Sequence, residues 1–196
     1  MNMKKYLFIF FIYFASLNNL YSMGADVFVQ STVNRVSDIL SKDTSRDQKI
    51  IELKKIAKET VDIKGIGFYT LGPKRKELNG EQKQRYIKLF EQYFLKSFSS
   101  RLAEYTNPEI DVYDKEVLNE NYTIVNSLLK GTNERPEVKI DWRIYTKNPD
   151  NPLIRDLIIE GLSLARTQKE EFSSILNSNN GDINSLFETL IKFSEN

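Results

Sequence analysis

The stretch Lys139–Leu176 reads KIDWRIYTKNPDNPLIRDLIIEGLSLARTQKEEFSSIL, and its changing period decides the fold. In Val138–Ile144 apolar and charged residues alternate strictly. Val138, Ile140, Trp142 and Ile144 therefore face a buried side, while Lys139, Asp141 and Arg143 face water. Thr146–Pro152 (TKNPDNP) is a turn cluster. Leu153–Leu162 is a second, more apolar strand, ended by Gly161-Leu162-Ser163. Ser163 can cap a helix on which Leu164, Gln168, Phe172 and Ile175 share a face. Two strands thus feed directly into a helix.

Working outward, Ile110–Val117 and Tyr122–Leu129 read as two earlier strands, with turns at Asn119–Asn121 and Gly131–Pro136. Before them the period is helical. Asp26–Leu40 carries Val29, Val33, Val36 and Leu40 on one stripe. A second helix, capped by Ser45 or Asp47, runs to about Val61 with Ile50, Leu53, Ile56 and Ala57 inward. Asp62–Gly72 is a short helix weakened by Gly65 and Gly67, and Lys74–Asn79 is a solvated basic link. Gly80–Tyr105 is the longest helix. Ile87, Phe90, Phe94 and Phe98 follow one another along it at helical spacing, and Lys83, Lys88, Glu91 and Lys96 lie opposite. A last helix starts at Asp182 and buries Ile183, Leu186, Phe187 and Leu190. Helices, a meander of four strands, then helices again argue an α+β fold. Its helical layer packs on a twisted, curved antiparallel sheet.

Residues 1–25 are a different kind of sequence. Lys4 and Lys5 precede the apolar run Tyr6–Ala15, which is short of the roughly 20 residues of a spanning helix. A polar stretch and the small residues Ser22, Gly24 and Ala25 follow. The pattern is that of a cleaved secretory signal peptide, leaving 26–196 as a single domain. Without the two lysines of the leader, 26 basic and 27 acidic residues remain. A near-neutral chain is a poor general nucleic-acid binder, because that binding rests on phosphate neutralisation.

The chain has no Cys and no His. An exported domain without Cys must be held by its core alone. Without His there is no Ser-His-Asp triad and no usual zinc ligand, so no metal is expected. Asp156 and Glu160 stand at i and i+4 on a strand, a weak paired-carboxylate signal; residues so placed more often pair with cations or with backbone N–H groups. No Gly-rich phosphate loop or nucleotide fingerprint is present. The Phe90/Phe94/Phe98 row could wall a cavity, but an apolar helix stripe beside a sheet is more often plain packed core. Periodicity tells which face is buried, not whether the space behind it is filled.

The strand Asp141-Trp142-Arg143, the strand end Asp156…Glu160-Gly161…Ser163 and the helix Thr167-Gln168…Glu171-Phe172 resemble the MlaC family. The segment Val61-Asp62-Ile63…Ile66…Phe68…Leu71-Gly72 and the helix Glu81-Gln82…Tyr86…Phe90…Tyr93 are similar to it too. Members are periplasmic phospholipid carriers of bacteria with two membranes, also called toluene-tolerance auxiliary proteins. The resemblance implies a deep apolar cavity for acyl tails and no enzymatic activity or cofactor, with bound phospholipid as cargo. It implies two partners: the MCE-domain ring of an inner-membrane ABC transporter, and an outer-membrane lipoprotein–porin complex. A monomer is expected. The implied lipid-binding residues are Phe68, Leu71, Ile87, Phe90, Phe94, Phe98, Val138, Ile140, Trp142, Ile144, Leu157, Ile159, Leu164 and Phe172. Where many relatives carry a Tyr/Trp pair after Leu71-Gly72, this chain has Pro73-Lys74-Arg75-Lys76, expected near the mouth of the cavity. The alternatives are a hopanoid-type carrier of the same family, or an enzyme of similar shape using Asp156 or Asp141.

Overall fold

The computed structural model describes residues 24–133 and 135–195. The expected leader up to residue 23 lies outside them. Among the described residues six helices pack on one sheet: α1 (Ala25–Ser41), α2 (Arg46–Thr60), α3 (Ile63–Thr70), α4 (Gly80–Leu102), α5 (Leu164–Ser178) and α6 (Ile183–Glu195). The strands are β1 (Ile110–Asn119), β2 (Tyr122–Leu129), β3 (Val138–Tyr145), β4 (Leu153–Ile159) and β5 (Leu162–Ser163). They pair in sequence order, all antiparallel, into a curved, unclosed sheet.

Local chemistry sets the boundaries. Ser45 and Gln48 form a reciprocal capping box at the start of α2, and Asn79 and Gln82 form another at α4. Asp62 caps α3 by accepting from Gly65 N at 2.7 Å. Ser163 caps α5 by accepting from Arg166 N at 3.0 Å.

The expected strand Leu153–Leu162 is in fact two strands. Glu160 (φ 49°) and Gly161 (φ 82°) both take left-handed backbone angles, and Ile159 pairs with Leu162 across them. Two successive positive φ values make a tight hairpin turn whose twist suits the flanking strands. A second correction concerns the basic link. Gly72–Lys76 forms a 3-10 turn, and Leu78 after it is buried at 5 % exposure, so the link is anchored rather than merely solvated.

Alternation on β3 places Ile140, Trp142 and Ile144 in the core, across from Ser127, Val125 and Thr123 of β2. The helices cover this face. Below it lie two clusters of buried side chains. The larger unites the sheet, α3, α5 and α6 with parts of α1, α2 and α4. The smaller is built by Ile39, Leu40, Leu53 and Ile56 of α1 and α2, with Val36 and Leu102 against it.

Candidate functional site

An apolar pocket of about 130 Å³ opens at the seam between the two clusters. α1 contributes Thr32, Val33, Val36 and Leu40, and α2 contributes Ile56 and Thr60. The end of α4 adds Phe98 and Leu102, and Tyr105 and Pro108 follow at the rim. The floor is the inner sheet face: Ile110, Leu129, Ile140, Trp142, Ile154, Leu157 and Ile159. The Thr32, Thr60 and Trp142 polar groups of this wall are all engaged within the protein. Thr32 Oγ1 donates to Phe28 O at 2.9 Å and Thr60 Oγ1 to Ile56 O at 2.8 Å. Trp142 Nε1 donates to Ser127 Oγ at 2.8 Å, and Ser127 in turn donates to Ile140 O at 2.9 Å. With their hydrogen bonds made to the protein, these groups have little left to offer a polar ligand. Such a surface suits methylene chains.

Of the expected lipid-binding residues, the structure brings Phe98, Ile140, Trp142, Leu157 and Ile159 together around the pocket. It does not bring the others there. Phe90, Leu71, Ile144 and Phe172 are 0–1 % exposed in solid core. Phe68, Ile87, Phe94 and Val138 pack against the same core without lining the pocket, although Phe94 stacks on Phe98 and Val138 pairs with Leu129 beside it. Leu164 is 41 % exposed at the start of α5, since the cap at Ser163 turns the first helical residue outward. Sequence reasoning found the α1 stripe but did not assign it to the site; the signal was there in Val33, Val36 and Leu40.

The solid part has its own chemistry. Phe90 contacts Tyr86, Tyr93, Phe94 and Phe172 with ring centroids 5.8–6.3 Å apart, and meets Phe172 edge to face. Gly67 lets α3 approach this cluster, because a Cβ there would come 2.8 Å from the Phe90 ring. Tyr86 is fully buried and shares a hydrogen bond with Thr70, and burial pushes its phenol well above the ordinary range. Burial also raises Tyr93, helped by the nearby Glu171 carboxylate.

The apolar pocket is small. The pocket lies below the ~300–1,000 Å³ typical of sites that enclose a drug-sized ligand. None of Lys74, Arg75 and Lys76 lines it. Lys74 pairs with Glu77, and the Arg75 guanidinium stands 5.8 Å over the Phe68 ring, both on the α3 side of the molecule.

The carboxylates do not form a pair. Asp156 accepts from Ser163 Oγ and from Ala165 N at 2.9 Å, locking β4 to the start of α5. Glu160 sits in the hairpin turn and accepts from Lys139 N. Asp141 accepts from Asn126 Nδ2 at 2.8 Å on the outer sheet face. Neither Asp141 nor Asp156 lines the apolar pocket. Among the described residues no group of His, Cys, Asp and Glu is placed to hold a metal, and no helix is long and apolar enough to cross a membrane.

Comparison with known proteins adds the family. A solved structure, the phospholipid-binding protein from Ralstonia solanacearum in complex with a phospholipid, superposes with a TM-score of 0.72. The match covers 87 % of this chain and 97 % of that one at 20 % sequence identity, so it shows a shared fold. No curated protein sequence matches. The family model described as MlaC protein matches residues 30–192, most of the chain, and the protein belongs to the MlaC family.

Proposed function

We propose that the protein is a periplasmic phospholipid carrier, exported by residues 1–25 and working through 26–196 as one lipid-binding domain. The observation that carries this reading is the apolar pocket between α1, α2, the end of α4 and the sheet, in a chain of this family. That the R. solanacearum protein of the same fold is a phospholipid complex supports it.

The physical logic is one of balance. Moving a two-chain lipid with roughly 30 methylenes into water costs on the order of 24 kcal/mol, at ~0.8 per methylene. A carrier must keep the tails dry, yet must not hold them far more tightly than a bilayer does. A wall of Val, Leu, Ile, Phe and Trp matches the bilayer interior to first order. Handover is then decided by small differences in head-group contact and docking. Tails of that length need more room than about 130 Å³, so loading requires the α1–α2 layer to move outward at the seam between the clusters. No bond is made or broken, and carrying requires no acid, base or metal.

The partners in this reading are the MCE-domain ring of an inner-membrane ABC transporter and an outer-membrane lipoprotein–porin complex. Lys74, Arg75 and Lys76 lie off the pocket and serve docking. Neutralising all three lowers the transfer rate between such partners and flattens its salt dependence; unchanged rates would remove them from docking.

The test of the main reading is direct. The purified protein, extracted with organic solvent, should yield about one diacyl phospholipid per chain by mass spectrometry. Protein that purifies empty and takes up no phospholipid from vesicles would sink the carrier reading.

A further inference from the structure

The two faces of the sheet differ, and only the inner one carries the apolar pocket. On the outer side, β3 and β4 bring Arg143 and Arg155, with the Asp156 carboxylate between them and α5, to a second depression of about 320 Å³, flanked by Tyr69, Leu118, Asn119 and Tyr122. Its charged groups are unequally engaged. Arg155 donates from Nε to Asp62 Oδ2 at 2.6 Å, and its guanidinium stands 4.6 Å over the Tyr145 ring. Asp62 also caps α3. Asp156, the cross-strand partner of Arg143, turns both oxygens toward Ser163 and Ala165 of the next segment. Both carboxylates are thus committed elsewhere. Arg143 is the charge left over. Its side chain makes no hydrogen bond or ion pair with any described residue, and its Nε is shut from solvent without an acceptor.

We propose that this depression is an oxyanion site in which Arg143 receives a phosphate or carboxylate group. A guanidinium is a planar fork that matches both groups, and an unpaired one held against protein is relieved by an anion. Two further donors stand beside it. Tyr122 Oη accepts from Arg155 Nη1 at 3.4 Å, which leaves its own hydrogen free. Asn119 Oδ1 accepts from Asn121 N at 2.9 Å, which leaves its amide N–H groups free among the described residues. The site does not depend on the tail-binding reading, because alternation on β3 sends Trp142 inward and Arg143 outward. The oxyanion can come from a free phosphate ester or from the head group of an anionic lipid.

The experiment has two arms on the mature chain. In the first, glycerol 3-phosphate is titrated and followed by amide and Arg side-chain NMR shifts. In the second, the protein is floated with phosphatidylcholine vesicles with and without phosphatidylglycerol. Arg143→Gln removes the charge at a side chain that makes no hydrogen bond or ion pair with any described residue. Leu118→Glu sets a carboxylate on the exposed rim as an independent competitor. Saturable binding of glycerol 3-phosphate, weakened about tenfold or more by both variants, supports a free ester. Retention on phosphatidylglycerol vesicles alone, lost to the same degree in both variants, supports a head group. Absence of binding in both arms, or binding that neither variant weakens, overturns the proposal.

Discussion

Helix α4 presents large apolar side chains along its whole length, but to two different surroundings. Around Tyr86 and Phe90 the rings interlock with Phe172 and α3, and all three rings are almost wholly buried. Two turns later Phe98 and Leu102 face the seam between two core clusters, where α1, α2 and the sheet do not close on one another. The same residue types give solid core in one place and a binding wall in the other. The difference lies in what packs opposite: α3, α5 and α6 fill the first region with Gly67 and Phe172, while α1 and α2 stand over the second as a separate pair.

The comparison can be broken most directly at Phe90. Phe90→Ala should destabilise the protein by about 3–5 kcal/mol, the usual cost of a large buried ring, read from denaturant midpoints. Lipid per folded molecule should stay the same. A folded Phe90→Ala protein that has lost its lipid would move the binding wall into the aromatic core.

Leu157→Asp is the complementary change, with a somewhat smaller effect that falls on cargo. A carboxylate among the apolar lining residues should weaken tail retention by roughly 2–3 kcal/mol, seen as phospholipid lost on purification. Leu157→Met keeps shape and polarity and should retain both stability and lipid. Full loading of a folded Leu157→Asp protein would mean that the tails lie elsewhere.

Asp156→Ala probes the strand-to-helix corner, away from both regions of α4. Removing the carboxylate leaves Ala165 N and the Ser163 hydroxyl without their partner, at a cost of about 1–3 kcal/mol in thermal or denaturant unfolding. Lipid retention should not change. A lipid-modifying activity in the wild type that vanishes in this variant would revive the carboxylate-enzyme alternative.

The smallest effect is that of pH. Between about pH 6 and 8 lipid retention should be flat, because the chain has no His and burial moves Tyr86 and Tyr93 upward, away from that window. A sigmoidal loss centred near pH 7 would mean that a titrating carboxylate stands at the tail site, and so that the tails lie outside this carboxylate-free pocket. In acid a small loss comes from Asp26, whose hydrogen bond to Lys115 holds its carboxyl below the ordinary carboxylate range. A depressed carboxylate stabilises the fold above its unfolded value, and the gain disappears as pH falls through the folded one. Since both side chains are more than a third exposed, Lys115→Ala should cost well under 1 kcal/mol at pH 7.

What the sequence determined by itself is local and periodic. Strict alternation in Val138–Tyr145 set the strand and its inner face, and the cap at Ser163 set the start of α5. The residue order Asp141-Trp142-Arg143, Asp156, Gly161 and Ser163 was enough to point to the MlaC family. Each of these depends on neighbours a few positions away, and so is written in the chain directly. Which buried residues line the pocket was decided only by the tertiary structure. Phe90 and Phe98 sit eight positions apart on one stripe and are indistinguishable by period, yet one is packed solid and the other borders a void. Val36, Leu40 and Ile56 joined the site because two helices far upstream of the sheet fold over it, a contact that no local pattern encodes. Arg143 tells the same lesson in charge. Alternation said that it faces outward, but only the engagement of Asp156 with α5 and of Asp62 with Arg155 left it without a partner. Burial is a property of a face, whereas emptiness and unpaired charge are properties of how several faces meet.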